Sequence, residues 1–350
     1  MATEPPALAG ELAEHRPLRK KRIRPADALF HAGALAAVLI ALGALAWLFV
    51  SILTSGIGAL TWSFLTDPVS TSADRAGFNS ALRGSVVLMI IVIVVAIPIG
   101  FAAAIYLEKF ASLSRDQLTG TAMMRRRRLE EMRASGAGAP RLLAQRVGVG
   151  ASFAWARVGP PITRSIEVNI SNLAAVPSII YGLLGLALFV TFVGFNKSLL
   201  AGGLTLALLV LPIIIIASRE AIRAVPVSIE QGAMALGATR WQAVSRQTVP
   251  AALPGMLTGT ILAMSRAIGE AAPLIVVGGV AFGTQLPSIN PLNANDTPLF
   301  AMPLQIFDWT DRPQAAFQEL AAAGIIVLLG VLIVMNAVAI ILRNKFSRRW

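Results

Sequence analysis

Cysteine is absent from the 350 residues, and histidine occurs only as His15 and His31. The first absence excludes disulfides, thiolate metal centres and cysteine nucleophiles; the second excludes a histidine-rich metal site. Charge is scarce as well: 14% of residues are charged and 56% are hydrophobic, against roughly 25% charged in an average soluble domain. No Walker A sequence with its Lys-Ser/Thr occurs, so the chain has no P-loop with which to hydrolyse nucleotide itself. Neither clustered His or Cys nor suitably spaced carboxylate pairs support a polytopic membrane enzyme. There is also no convincing internal repeat. Any chemistry is left to carboxylates, arginines and hydroxyls.

What is present is long apolar sequence. Runs at about 30–53, 84–107, 172–194, 199–218, 255–279 and 320–342 each reach the roughly 20 residues a membrane helix needs. The basic cluster RKKRIR (19–24) precedes the first run without a small-residue cleavage site, which reads as a cytoplasmic tail (1–29) entering a retained helix. With that end inside, 1–29, 108–171, 219–254 and 343–350 are cytoplasmic and hold 25 of the 30 Lys and Arg. The positive-inside asymmetry predicts six spans with both termini cytoplasmic, and it accounts for the +12 formal charge without nucleic acid. Outer loops then fall at about 54–83 and 280–319; the second is rich in Pro, Asn and Thr and reads as an ordered or semi-ordered loop. The stretch MMRRRRLEEMRASGAGAPRLLAQR (123–146) is a basic helix followed by a Gly/Ala hinge. It fits a solvated inner loop touching anionic lipid, or a protein-binding element.

Gly255 with Gly259, and Gly182 with Gly185, read as close helix-packing positions. Pro98 and Pro212 predict kinks in the second and fourth spans.

Between the fourth and fifth spans, 219–255 reads REAIRAVPVSIEQGAMALGATRWQAVSRQTVPAALPG. Ile229, Ala233, Leu236 and Val244 recur at near-helical spacing, Gly237 interrupts them, and Pro250 and Pro254 mark the approach to the next span. The pattern predicts two short helices bent sharply at Gly237-Ala238, one exposed enough to enter a partner's groove. Here the sequence resembles the permease subunits of bacterial ABC importers, whose cytoplasmic loop runs approximately E-A-A-x3-G-x9-I-x-L-P. The matching positions are Gln231, Gly232, Ala233, Gly237, Gln247, Val249 and Pro250, with Gln231, Gly232 and Gln247 departing from the consensus while the spacing survives.

EVNISNLAAVPSIIYGLLGLALFV (167–190) and RAIGEAAPL (266–274) narrow the likeness to the phosphate-specific branch, of the PstA type. The resemblance spans about 80–342 and implies an all-α polytopic fold of the type I importer permease, in the bacterial inner membrane. The 1–29 tail, the first helix (30–53), the basic insert near 114–157 and the 343–350 tail flank or interrupt that domain. The resemblance further implies that the 219–254 loop contacts a separate ATPase. The implied assembly contains a PstC-like permease, two copies of a PstB-like ATPase holding ATP and Mg, and a PstS-like phosphate-binding protein. No cofactor is expected on this chain, whose partners are those subunits, inorganic phosphate and membrane lipid.

Arg266 and Glu270 lie one helical turn apart, so a continuous helix puts them on one face. Counted from Gly255, Arg266 is roughly 17 Å into the fifth span at 1.5 Å per residue, near the middle of a core about 30 Å thick. Two readings stand: an ion pair locking helices together, or a polar station for an anion. A guanidinium suits phosphate because it donates paired hydrogen bonds; a carboxylate beside it neutralises the empty site and keeps the anion from binding too tightly. Permeases of the branch it resembles carry such a pair at the corresponding place. The alternatives are a permease for another anion (PstC-like, sulfate or molybdate) and an ATP-independent secondary transporter or channel.

Overall fold

The computed structural model describes residues 25–111, 115–135, 147–149, 161–279, 287 and 291–346. The RKKRIR cluster, the Gly/Ala hinge of the insert, most of 280–290 and the last four residues lie outside the described residues. Among those described, regular structure is helical, with one isolated antiparallel bridge between Ser198 and Pro298.

The chain divides into two units at Ser51/Ile52. The first unit is mostly α1 (Pro25–Gly56), a helix apolar on all sides, as a membrane span is. The second unit contains α2 (Trp62–Thr66), α3 (Asn79–Ile105, prolonged by a π-helical turn Tyr106–Ala111), α4 (Arg115–Ala134) and α5 (Pro161–Ala174). It continues with α6 (Ser178–Gly185, prolonged as a π-helix over Leu186–Phe192), α7 (Leu199–Arg223), α8 (Val227–Ala235) and α9 (Arg240–Ala243). The last elements are α10 (Val249–Ile268), α11 (Ala272–Val277), α12 (Met302–Thr310) and α13 (Ala315–Phe346). Among the described residues five helices are long and apolar enough to cross a membrane, and a sixth span forms if the bent pair α5–α6 is counted as one.

Two of the expected spans are not single helices. The run 172–194 is broken at 175–177, where α5 and α6 meet at 106°. Pro177 has no N–H for the Leu173 carbonyl four residues back, and it drives the preceding residue out of helical geometry. That carbonyl is satisfied instead by the Val176 N–H (3.1 Å) and by the Tyr181 hydroxyl, which donates to it at 2.7 Å. The run 255–279 ends as a helix at Ile268 and restarts at Ala272. Pro273 is the cause by the same rule: a continuous helix would need its absent N–H on the Gly269 carbonyl. The helix also starts well before 255, running on from Arg240 through a π-turn at Val244–Thr248, which accommodates the hydrogen bond that Pro250 is unable to donate.

The core lies where α7 packs against α3, α6 and α10. Small residues set these approaches. A Cβ on Gly203 would stand 2.8 Å from Ile91 Cγ2, and one on Gly255 would stand 2.8 Å from Ala221 Cβ. Gly259 presses on Ala217 and Gly185 on Thr205, so the Gly255/Gly259 and Gly182/Gly185 positions act in close packing, as small residues do between membrane helices. Near the first residues of α3 and α13, Phe64, Phe78, Trp309 and Phe317 form one aromatic cluster with centroid separations of 5.4 to 6.5 Å. The described part of 280–319 is tied down there: Leu199 N–H donates to Thr297 O, and Met302 N–H to Ser85 Oγ at 2.8 Å.

Candidate functional site

The two broken spans meet. Gly182, early in α6, packs on Pro273 and Val276 of α11; a Cβ at Gly182 would stand 2.8 Å from each. Tyr181, buried next to it, is within electrostatic reach of Arg266. Arg266 occupies the last turn of α10, where the exposed carbonyl ends of the helix favour a cation. Glu270 lies just beyond, in the non-helical link, and Arg266 Nε donates to its Oε1 at 3.0 Å. The pair therefore forms although the helix does not continue through it. The Arg266 side chain is 50% exposed and that of Glu270 19%, so the guanidinium edge not engaged by Glu270 faces away from the core of this chain. The void on the core side, lined by Ser85, Leu88, Leu206, Ala267 and Leu274, measures about 10 Å³, room for one water. One residue back, the Ser265 hydroxyl donates to Asn336 Oδ1 of α13 at 2.7 Å, holding the α10 turn that carries Arg266. Asn336 was not among the sequence candidates; a lone amide in an apolar run was its only signal.

At the other end of α7 lies the segment singled out by its spacing. α8 and α9 are the two short helices, and Gly237 between them has φ +90, the left-handed region in which glycine alone is at ease. Ala238 N–H returns to the Ala233 carbonyl at 3.1 Å, closing α8, and Thr239 opens α9 through a reciprocal capping box with Gln242. Of the residues matched to the importer loop, Gln231, Gly232, Gly237 and Pro250 are exposed, and Ala233, Gln247 and Val249 are half-buried. Leu236, expected on the apolar face of a helix, is 92% exposed, and Trp241, Val227 and Met234 are exposed around it. The pattern misleads here because Leu236 lies beyond the helix end, where the chain has already turned.

What anchors this segment is a set of charges that spacing did not reveal. Glu230, the buried residue of α8, accepts from Lys109 Nζ at 2.8 Å and lies 3.9 Å from Arg240 Nε. Arg240 also donates to the Lys109 carbonyl and covers the Phe110 ring at 5.6 Å, and Phe110 packs on Trp241. Glu108 takes Arg219 (3.3 Å) and Arg223 (3.0 Å) of α7, and Arg219 reaches Glu167 of α5 at 2.8 Å. In the sequence Glu108, Lys109 and Phe110 follow directly on the apolar run 84–107 and carry no spacing signal of their own. Among the described residues no three His, Cys, Asp or Glu side chains assemble as a metal site.

Comparison with known proteins bears on this arrangement. The family model described as binding-protein-dependent transport system inner membrane component matches residues 147–350, more than half of the chain. The chain belongs to that family. It is a permease subunit of an ABC-type solute-import system, a transmembrane component and not an enzyme. Among relatives of this permease, the probable ABC transporter permease protein YqgI of Bacillus subtilis is 27% identical over 248 residues, 71% of this chain and 68% of that one. The phosphate transport system permease protein PstA 1 of Mycobacterium tuberculosis is 27% identical over 316 residues, covering 89% and 86%. A solved structure of the MetNI methionine ABC transporter in inward-facing conformations overlaps 77% of the permease and 97% of its own chain, with 14% identity and a TM-score of 0.48.

Proposed function

We propose that this permease forms one half of the transmembrane pathway of an ATP-driven inorganic phosphate importer in a bacterial inner membrane, with both termini cytoplasmic. The observation that carries the reading is the half-exposed Arg266–Glu270 pair at the break of the fifth span. A permanently charged guanidinium with a free edge can take up a phosphate oxygen pair, while Glu270 competes for it and keeps the complex weak enough to release. The name of the mycobacterial relative supports phosphate as the substrate. The void on the core side of the pair, about 10 Å³, is too small for the anion, so the path at Arg266 runs over the outer face of α10 and needs a second, PstC-like permease to close it.

A PstS-like binding protein delivers phosphate, and two copies of a PstB-like ATPase, holding ATP and Mg, drive the cycle. The exposed end of α8 with Gln231, Gly232, Ala233 and Gly237, together with Val249 and Pro250, meets one of them. Coupling arises if the ATPase binds one arrangement of this segment better than another; contact alone shifts nothing.

The test is ATP-dependent phosphate uptake by equal amounts of assembled complex in proteoliposomes. Arg266→Gln keeps a polar side chain and removes the cation, and uptake falls to background. Arg266→Gln with Glu270→Gln leaves no unpaired charge, yet uptake stays at background because the anion has lost its partner. Recovery of uptake in the double variant would reduce the pair to a structural lock.

A further inference from the structure

We infer that Glu108, Lys109 and Phe110, in the π-turn ending α3, form a hub that positions the coupling segment, with the Lys109–Glu230 ion pair as its transmitting contact. This rests on the reading of α8 and α9 as the ATPase-facing segment. Three consecutive residues hold three different elements: Glu108 takes the arginines of α7, Lys109 takes Glu230 of α8, and Phe110 packs under Arg240 and Trp241 of α9. The wide turn Tyr106–Ala111 aims these successive side chains at the separate partners.

Among the contacts of α8 the burial pattern singles out Lys109–Glu230. The other side chains of α8 are exposed or half-buried, whereas Lys109 and Glu230 are 13% and 10% exposed. A displacement of α8 must therefore either carry α3 with it or break a partly desolvated ion pair, and breaking one leaves a charge without its partner. The covalent routes from α8 run back to α7 across residues 224–226 and on through α9 to α10; the ion pair adds a direct route to α3, which packs along α7. Three helices of the membrane bundle thus answer to one surface segment, and only α3 does so through a side-chain contact. Arg240, on the far side of the Glu230 carboxylate, fixes the pair's orientation and anchors α9 to the Lys109 backbone.

The chain has no cysteine, so two introduced cysteines are the only spin-label sites it contributes to the assembled complex, with partner subunits freed of reactive cysteines. One label goes on Ser228→Cys, exposed on α8, and the other on Ala102→Cys, exposed on α3. With the ion pair intact, adding ATP moves the two labels together and their distance distribution stays narrow. In Lys109→Met the distribution broadens, ATPase still co-purifies, and uptake per ATP hydrolysed falls roughly tenfold, within the 5–150-fold span of typical coupling free energies. Lys109→Arg, which keeps the charge, restores both readings. A Lys109→Met complex with the wild-type distance distribution and wild-type uptake per ATP would overturn the inference. Loss of ATPase co-purification from Leu236→Ser, measured in parallel, tests the docking surface separately; its persistence counts against the underlying reading and not against the hub.

Discussion

Gly237 is where backbone conformation and coupling can be separated from packing. Its φ of +90 lies in the left-handed region, and no atom stands within 4 Å of the position its Cβ would take. A side chain there meets open space, so the penalty is conformational. For an L-residue the left-handed region costs about 1–2 kcal/mol, more when β-branched, which shifts a local equilibrium by a factor of roughly 5–30. Gly237→Val should therefore leave the bundle folded and inserted while the α8–α9 bend opens. Gly237→Asn, which tolerates this region, should fall between valine and wild type. Gly232 provides the control: it lies inside α8 with open space at its Cβ position, the importer-loop consensus carries alanine there so a methyl is compatible with docking, and replacing an interior glycine by alanine removes a helix penalty of roughly 0.5–1 kcal/mol. Gly232→Ala should hold or improve coupling. Phosphate uptake and ATP hydrolysis measured on the same proteoliposomes give the ratio that matters. Wild-type coupling in Gly237→Val, or equal damage from Gly232→Ala, would refute the argument.

Two further outcomes follow from packing and charge. Gly259→Ala drives a methyl into Ala217, which has no flexible end to move aside; overpacking of this kind costs about 1–3 kcal/mol. The detergent-solubilised subunit should lose thermal stability, and adding Ala217→Gly should restore it. Reporter fusions after residues 70 and 295 should read periplasmic, and those after 130, 240 and 350 cytoplasmic; an outside signal at 240 would remove the coupling segment from the ATPase side.

Much of this molecule is legible in one dimension because lipid imposes a one-dimensional rule: an apolar run of sufficient length becomes a helix. The runs behind α3, α7 and α13 are recovered with little change, and Gly255 and Gly259 do pack closely. The bend at Gly237 is legible for a different reason, since few residues other than glycine stop a helix in that geometry. The ion pairs of Glu108, Lys109 and Glu230 were not. Lys109 and Glu230 are 121 positions apart, and no periodicity relates residues brought together by tertiary packing. Leu236 shows the reverse error, an apolar residue in register whose helix has already ended.

The failures at 172–194 and 255–279 have a common origin and a common location. A hydropathy window registers composition and is blind to a missing N–H, so Pro177 and Pro273 pass unnoticed inside runs that are apolar enough to span. Each breaks its helix, and the halves that follow, α6 and α11, lie against each other through Gly182 and Pro273. The candidate span Arg240–Ile268 ends at the second break, and the short apolar helix α11 follows it directly, so the non-helical link has apolar helix on both sides. Non-helical backbone between such helices is tolerated in a bilayer only against protein or a water-filled path. Gly269 is exposed in the isolated chain and the Arg266 side chain is half-exposed, so this face is unsuited to lipid on two independent grounds, one from the backbone and one from charge. Removing the charges of Arg266 and Glu270 would leave the backbone ground standing. For that reason the face should continue to assemble with a second subunit even in the doubly neutralised variant, and the uptake measurement then reports on the anion and not on assembly.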